Sequence, residues 1–252
     1  MLPIYKSKLT VFNYDDIPAG HYFKVMLNGS KIQRYWHREK FNAVAKFIRP
    51  NTKLMDFGCG PGSFLHILKD KVELEKATGI DLASKQVDFA KENIAKDSDV
   101  INFVGLEEGE NDLPFEDKSL DYITSVEVIE HIHPYIVSLI FKEFKRVLKD
   151  DGRMIITTPN YRSLWPFIEW LLNKLSPVKY HEQHINKFTP NSFVKYLETM
   201  GLEVVSFKSI FVISPFLAPI SWKLAKFVQK LEEKLLPKFG SLLVAEVRKL
   251  KI

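Results

Sequence analysis

With one cysteine, Cys59, in 252 residues, the chain can form no internal disulfide, and a reducing, cytoplasmic setting is the expectation. Long apolar runs are missing too. The longest candidate, 210–222, is broken by Pro215 and Pro219 and falls short of the roughly 20 residues that span a bilayer. Residues 1–6 lack the apolar centre of a signal peptide, so the protein is expected to be soluble, at most peripheral to a membrane. Internal repeats and low-complexity tracts are absent. Lys and Arg are scattered rather than clustered, which argues against a nucleic-acid partner. The net charge of +5 by itself suits nucleic acid, an anionic membrane surface and an anionic cofactor equally.

What the chain does contain is material for a full-sized core, 46% hydrophobic and 13% aromatic. Its length suits a single domain over 1–252, with 1–50 as an N-terminal substrate or lid extension. Segments 160–188 and 210–239 read as insertions near a substrate site. Strand patterns fall at 53–57, 77–81, 100–104, 120–125, 153–158, 202–206 and 242–247. A helical pattern at 36–48 precedes them, and others fall between them at 62–68, 84–95, 136–148 and 191–200. Ser84 is expected as one N-cap, and Thr189 or Asn191 as another. Asp150-Asp151-Gly152 reads as a turn, Gly201 as a helix stop, and 160–187 as irregular. Strands alternating with helices predict an α/β fold with a parallel sheet.

The segment 54–62, Leu-Met-Asp-Phe-Gly-Cys-Gly-Pro-Gly, places Gly58, Gly60 and Gly62 between a strand and a helix. Glycines there let backbone approach a ligand closely and take positive φ. The spacing is one residue shorter than the dinucleotide fingerprint. Asp56, just before the loop, would repel a pyrophosphate but can support a cationic amino-acid moiety. Asp81, ending the second strand, can accept both hydroxyls of a ribose.

These residues resemble the first two motifs of the class I S-adenosylmethionine-dependent methyltransferases. Leu113-Pro114-Phe115 with Leu120-Asp121-Tyr122-Ile123, and 147–153, resemble the segments around their fourth and fifth strands. The resemblance implies a Rossmann-like, mostly parallel seven-stranded sheet with helices on both faces and an antiparallel last strand. It implies S-adenosyl-L-methionine as cofactor, contacted by Asp56, Gly58, Cys59, Gly60, Gly62, Asp81, Leu82, Leu106 and Ser125. The family's adenine-binding Asp follows the third strand, where 105–112 is longer and has Leu106 at the corresponding position, so the backbone of Leu106 is the expected contact.

After the fourth strand, Glu127, Glu130 and His131 fall at i, i+3 and i+4, which a helix would present on one face. This pattern, with Thr158-Pro159-Asn160 and a distant His in 180–189, resembles ubiquinone-biosynthesis O-methyltransferases and small-RNA 3′-terminal 2′-O-methyltransferases. By that resemblance Glu127, Glu130, His131 and His184 would hold a divalent ion such as Mg²⁺, Mn²⁺ or Zn²⁺. Without a metal, Glu130 and His131 are the catalytic candidates, His131 as a general base. A solvated or structural role for these side chains is the third option.

Segment 32–39, aromatic and basic, is either a lid over the cofactor cleft or an ordinary packed helix. Segments 165–175 and 221–231 mix Trp, Phe and Leu with Lys, a pattern of interfacial helices. They can equally cover each other or a homodimer mate. The favoured activity is O-methylation of a small or lipid-like molecule. The alternatives are an RNA ribose methyltransferase and a non-catalytic methyltransferase-like subunit.

Overall fold

The computed structural model describes residues 17–96, 98–106, 112–175 and 184–250, except the side chains of Leu172, Asn173 and Leu175. The expected contacts in 107–111 and the segment 180–183 lie outside the described residues, as does 1–16 of the N-terminal extension. Seven strands form one sheet: β1 (Lys53–Phe57), β2 (Lys76–Asp81), β3 (Ile101–Gly105), β4 (Leu120–Val126), β5 (Leu148–Pro159), β6 (Leu202–Ile210) and β7 (Leu242–Lys249). Their order is β3-β2-β1-β4-β5-β7-β6. β7 runs antiparallel to both its neighbours and the other pairings are parallel. The expected mostly parallel sheet with an antiparallel last strand is what forms.

Alternation along the strands sorts the core into two clusters, one on each sheet face. Leu54, Tyr122, Ile155 and Val244 face one cluster. Met55, Ile123, Ile156 and Leu243 face the other. On the first face lie α1 (His21–Asn28), α2 (Lys31–Ala45), α3 (Ser63–Leu68) and α4 (Ser84–Ala90). The opposite face carries α5 (Pro134–Val147) and α7 (Pro190–Thr199). The remaining helices are α6 (Trp165–Leu175), α8 (Ser214–Leu217) and α9 (Trp222–Leu235).

Several local expectations change. The first helix pattern begins earlier, at Lys31, because Ser30 and Gln33 close a capping box, and α1 precedes it. Ser84 is not the cap of α4. Ala83 occupies that position without a side-chain bond, and the helix ends in a π-helical stretch, Lys91–Ala95. Thr189, not Asn191, caps α7. The Asp150-Asp151-Gly152 turn is absorbed into β5, whose register against β4 shifts between Leu120 and Tyr122. Lys118 and Lys249 fix the Asp150 carboxylate there at 2.8 and 2.9 Å. Part of the stretch expected to be irregular is α6.

The strand order reverses between β1 and β4. In open α/β sheets, ligands sit in the crevice beyond the carboxyl ends of the strands at such a switch point. Both loops singled out from the sequence, 58–62 and 127–131, leave the sheet there.

Candidate active site at the β1 and β4 strand ends

The glycine loop is tied to β2. Gly58 and Cys59 donate their N–H groups to the Ile80 carbonyl at 2.8 and 3.0 Å. Gly60 and Ala83 donate theirs to the Asp81 carboxylate at 2.7 and 2.9 Å. Asp81 therefore shapes the loop, with exposed Leu82 beside it. Gly58, Gly60 and Gly62 all have positive φ. Only Gly60 has open space where a Cβ would stand. At Gly58 that atom would meet Val128 at 2.4 Å, and at Gly62 Ile94 and Phe103 at 2.7 Å. Space bounded by loop backbone is what close approach of a ligand needs.

Asp56 is buried within β1, and Thr124 Oγ1 donates to its Oδ1 at 2.7 Å. Burial pushes its carboxyl up to about 7, the Thr124 bond opposes the rise, and Asp81 adds to it. A carboxyl so poised gains from a nearby cation. Ser125, at the end of β4, is buried with a hydroxyl that has no hydrogen-bond partner. Burial holds the Cys59 thiol well above its ordinary range, so it acts as packing rather than as a nucleophile. Leu106 is buried, and its N–H goes to the Asp81 carbonyl at 3.0 Å. That corrects part of the adenine expectation: this N–H is not available to a ligand.

The expected helical face of Glu127, Glu130 and His131 does not form. Glu127 adopts φ 56°, with its N–H bonded to the carbonyl and hydroxyl of Thr157 at 3.2 and 3.0 Å. The chain then makes a single 3₁₀ turn over Ile129–His131. Glu127 consequently turns to the buried ammonium of Lys40 in α2, with which it forms an ion pair. It leaves the group of candidate metal ligands.

Glu130, His131 and His184 do converge, with ligand atoms within 4.8 Å of one another. Glu130 is fully buried, and neither carboxylate oxygen has a hydrogen-bond partner. Burial, then the charge of Glu127, raises its pKa well above the ordinary value. His131 Nε2 lies 4.0 Å from Glu130 Oε1, and its ring lies 4.9 Å from that of His184. His184 Nδ1 is engaged by Glu169 at 2.6 Å and Tyr161 at 2.8 Å, which leaves Nε2 to bind a further group. A buried carboxylate without a partner, beside two imidazoles, fits a divalent cation held by three protein ligands with positions open. It fits a proton-transfer site as well.

Three contributors escaped sequence reasoning. Glu169 is the one carboxylate in the apolar run 165–175, a signal that could have revealed it. Tyr161 and Asn186 carried none. Their roles depend on a contact between the 184–186 segment and the β4 loop. Trp165 lies 6.2 Å from His184, and Trp36 lies between Trp165, at 5.7 Å, and Phe211, at 4.7 Å. Tyr35 donates to Gln229 at 2.7 Å and Glu39 pairs with Lys226 at 3.1 Å. Segment 32–39 is thus a helix fastened to α9.

Residues 29–207 match a family model described as a methyltransferase domain. A demethylmenaquinone methyltransferase of Staphylococcus aureus is 34% identical over 110 residues. That match spans 43% of this chain and 43% of the relative. A crystal structure of a SAM-dependent methyltransferase from Archaeoglobus fulgidus aligns with a TM-score of 0.61 at 19% identity, covering 90% of this chain and 98% of that one. A Pyrococcus horikoshii protein aligns at 0.62 and 18% identity, covering 91% and 97%. At such identities these two structures show a shared fold.

Proposed function

The chain belongs to the methyltransferase domain family and is an S-adenosylmethionine-dependent methyltransferase, and from that premise we propose that it methylates a hydroxyl oxygen of a small or lipid-like acceptor. The cofactor supplies an electrophilic methyl group on a sulfonium sulfur. Asp56, Asp81, Ser125 and the backbone around Gly60 are the residues that would hold it. Asp81 would accept the ribose hydroxyls and Asp56 would offset the positive charge.

The observation that carries the proposal is the Glu130 carboxylate, buried without a partner 4.0 Å from His131. A hydroxyl is a poor nucleophile until its proton is taken. In this reading His131 takes that proton, and the positive charge that forms on its ring favours the ionised form of Glu130, which burial alone disfavours. Glu169 fixes the orientation of His184 opposite. Glu130, His131 and His184 could also hold a divalent cation, which would lower the pKa of a bound hydroxyl and orient it. Val128, which packs against Gly58, joins this cluster to the cofactor loop. The demethylmenaquinone methyltransferase match supports a lipid-like acceptor over the aligned segment.

The test is transfer of labelled methyl to a panel of hydroxylated aromatics, polyols and hydroxylated lipids. His131→Ala and Glu130→Gln should abolish transfer while cofactor binding persists. Unchanged transfer by both variants removes the site from the reaction. Full, chelator-insensitive activity of His184→Ala would sink the metal.

A further inference from the structure

Helix α9 is inverted relative to an ordinary surface helix. Its buried residues are Ala225, Gln229 and Glu232. Glu232 accepts hydrogen bonds from the N–H groups of Val212, Ile213 and Ser214 and from the Ser214 hydroxyl. The outward row is apolar: Leu224 is 41% exposed, Phe227 59%, Leu231 41% and Leu235 68%. At about 100° per residue these four share one side of the helix. Exposed Lys223, Lys230 and Lys234 form an adjoining row, and Lys226, at its inner edge, pairs with Glu39 of α2 at 3.1 Å. Soluble helices turn apolar rows inward. Here the inward side joins Ala225 and Trp222, packed on the core, to a set of polar bonds, and a separate apolar row is left outside.

We infer that α9 docks the enzyme on an anionic lipid bilayer, its apolar row sunk at the headgroup boundary and its lysines against the headgroups. Charge decides between the candidate occupants. Both carboxylates of the helix are already engaged: Glu232 as above, and Glu233 by Gln229 at 2.9 Å and Lys208 at 3.5 Å. The outer side therefore keeps the charges of Lys223, Lys230 and Lys234. A second copy packed through α9 would set one lysine row beside another with no outward acid on either helix to offset it. An anionic surface neutralises the row, and an apolar stripe beside lysines is the arrangement that interfacial helices use. No helix among the described residues is long and apolar enough to cross a membrane, so the attachment is peripheral.

Flotation of the full chain with phosphatidylcholine vesicles, with and without phosphatidylglycerol, tests this without reference to catalysis. The protein should float with the anionic vesicles and be released by high salt. Phe227→Ser/Leu231→Ser and, separately, Lys223→Gln/Lys230→Gln should each weaken binding on the order of tenfold. Because the four side chains are exposed, the melting temperature should not move. No flotation with anionic vesicles, or equal flotation with neutral ones, overturns the proposal. So does a solution dimer that Phe227→Ser/Leu231→Ser dissociates while vesicles are ignored, which would give this face to a second copy.

Discussion

Asn186 clasps the Glu130 turn from both its main chain and its side chain. Its N–H donates to the Glu130 carbonyl at 2.9 Å, and its side-chain amide donates to Ile129 at 2.9 Å and Ile132 at 2.7 Å. Ile185 adds a further N–H to the same Glu130 carbonyl at 2.8 Å. A short 3₁₀ turn leaves carbonyls without internal partners, and this clasp supplies them. It also delivers His184 to Glu130 and His131.

Asn186→Ala should therefore affect chemistry more than folding. Two carbonyls lose a partner, for a cost of about 1–2 kcal/mol in stability. Misplacing His184 should lower kcat by about tenfold to a hundredfold. The KM for S-adenosylmethionine should stay put, since Asn186 has no bond to the glycine loop. Melting curves and steady-state rates check this, and an unchanged kcat would make the clasp merely structural.

Glu169→Gln should disable His184 without emptying its place. Burial would raise the Glu169 carboxyl, but hydrogen bonds with His184 and Tyr161 hold it below the ordinary value. It is thus an anion that anchors Nδ1. The substitution should reduce activity or metal affinity by about tenfold to a hundredfold. Tyr161→Phe keeps the carboxylate and should cost less. Rates of the two variants that fall equally would contradict this ranking.

Cofactor binding should strengthen with pH. The Asp56 carboxyl, pushed up to about 7 by burial, is protonated below that pH and serves a cation only when ionised. Affinity for S-adenosylmethionine should fall toward acid by up to about tenfold per pH unit below 7 and level off above it. Stability runs the other way: the cofactor-free fold keeps a proton that the unfolded chain has released, so it loses stability between 3.8 and about 7. Titration calorimetry from pH 5.5 to 8.5 should show the slope, and Asp56→Asn should flatten it and weaken binding.

Gly58→Ala and Gly60→Ala should separate folding from binding. Both sites have positive φ, which costs an L-residue about 1 kcal/mol. At Gly58 the methyl also strikes Val128 at 2.4 Å, whereas at Gly60 it meets nothing within 4 Å. Gly58→Ala should lower the melting temperature markedly. Gly60→Ala should leave it within a few degrees and still impair cofactor binding. Thermal melts and calorimetry on both proteins decide.

Much of the fold was legible because its signals are local. β1 falls at 53–57 as expected, a short buried run closed by a glycine. Asp81 sits at the end of β2, and Gly201, at φ 75°, follows α7. β5 starts earlier than its pattern suggested. Lys118 and Lys249, distant in sequence, hold Asp150 in an extended stretch that turn propensity alone would have ended.

The sequence by itself determined the order of the seven strands along the chain, the glycine loop and its two acids, because each depends on neighbours a few residues away. Only the tertiary structure decided which carboxylate joins the histidines. Glu127 and Glu130 are equivalent on a helical wheel. Lys40, 87 positions from Glu127, takes the first. Asn186, 57 positions from Ile129, fixes the turn that buries the second. Burial and charge pairing act across the fold, so the chemistry of this site rests on partners that no local pattern could assign. The same holds for α9, whose sequence gives an amphipathic helix but not the side that meets the core.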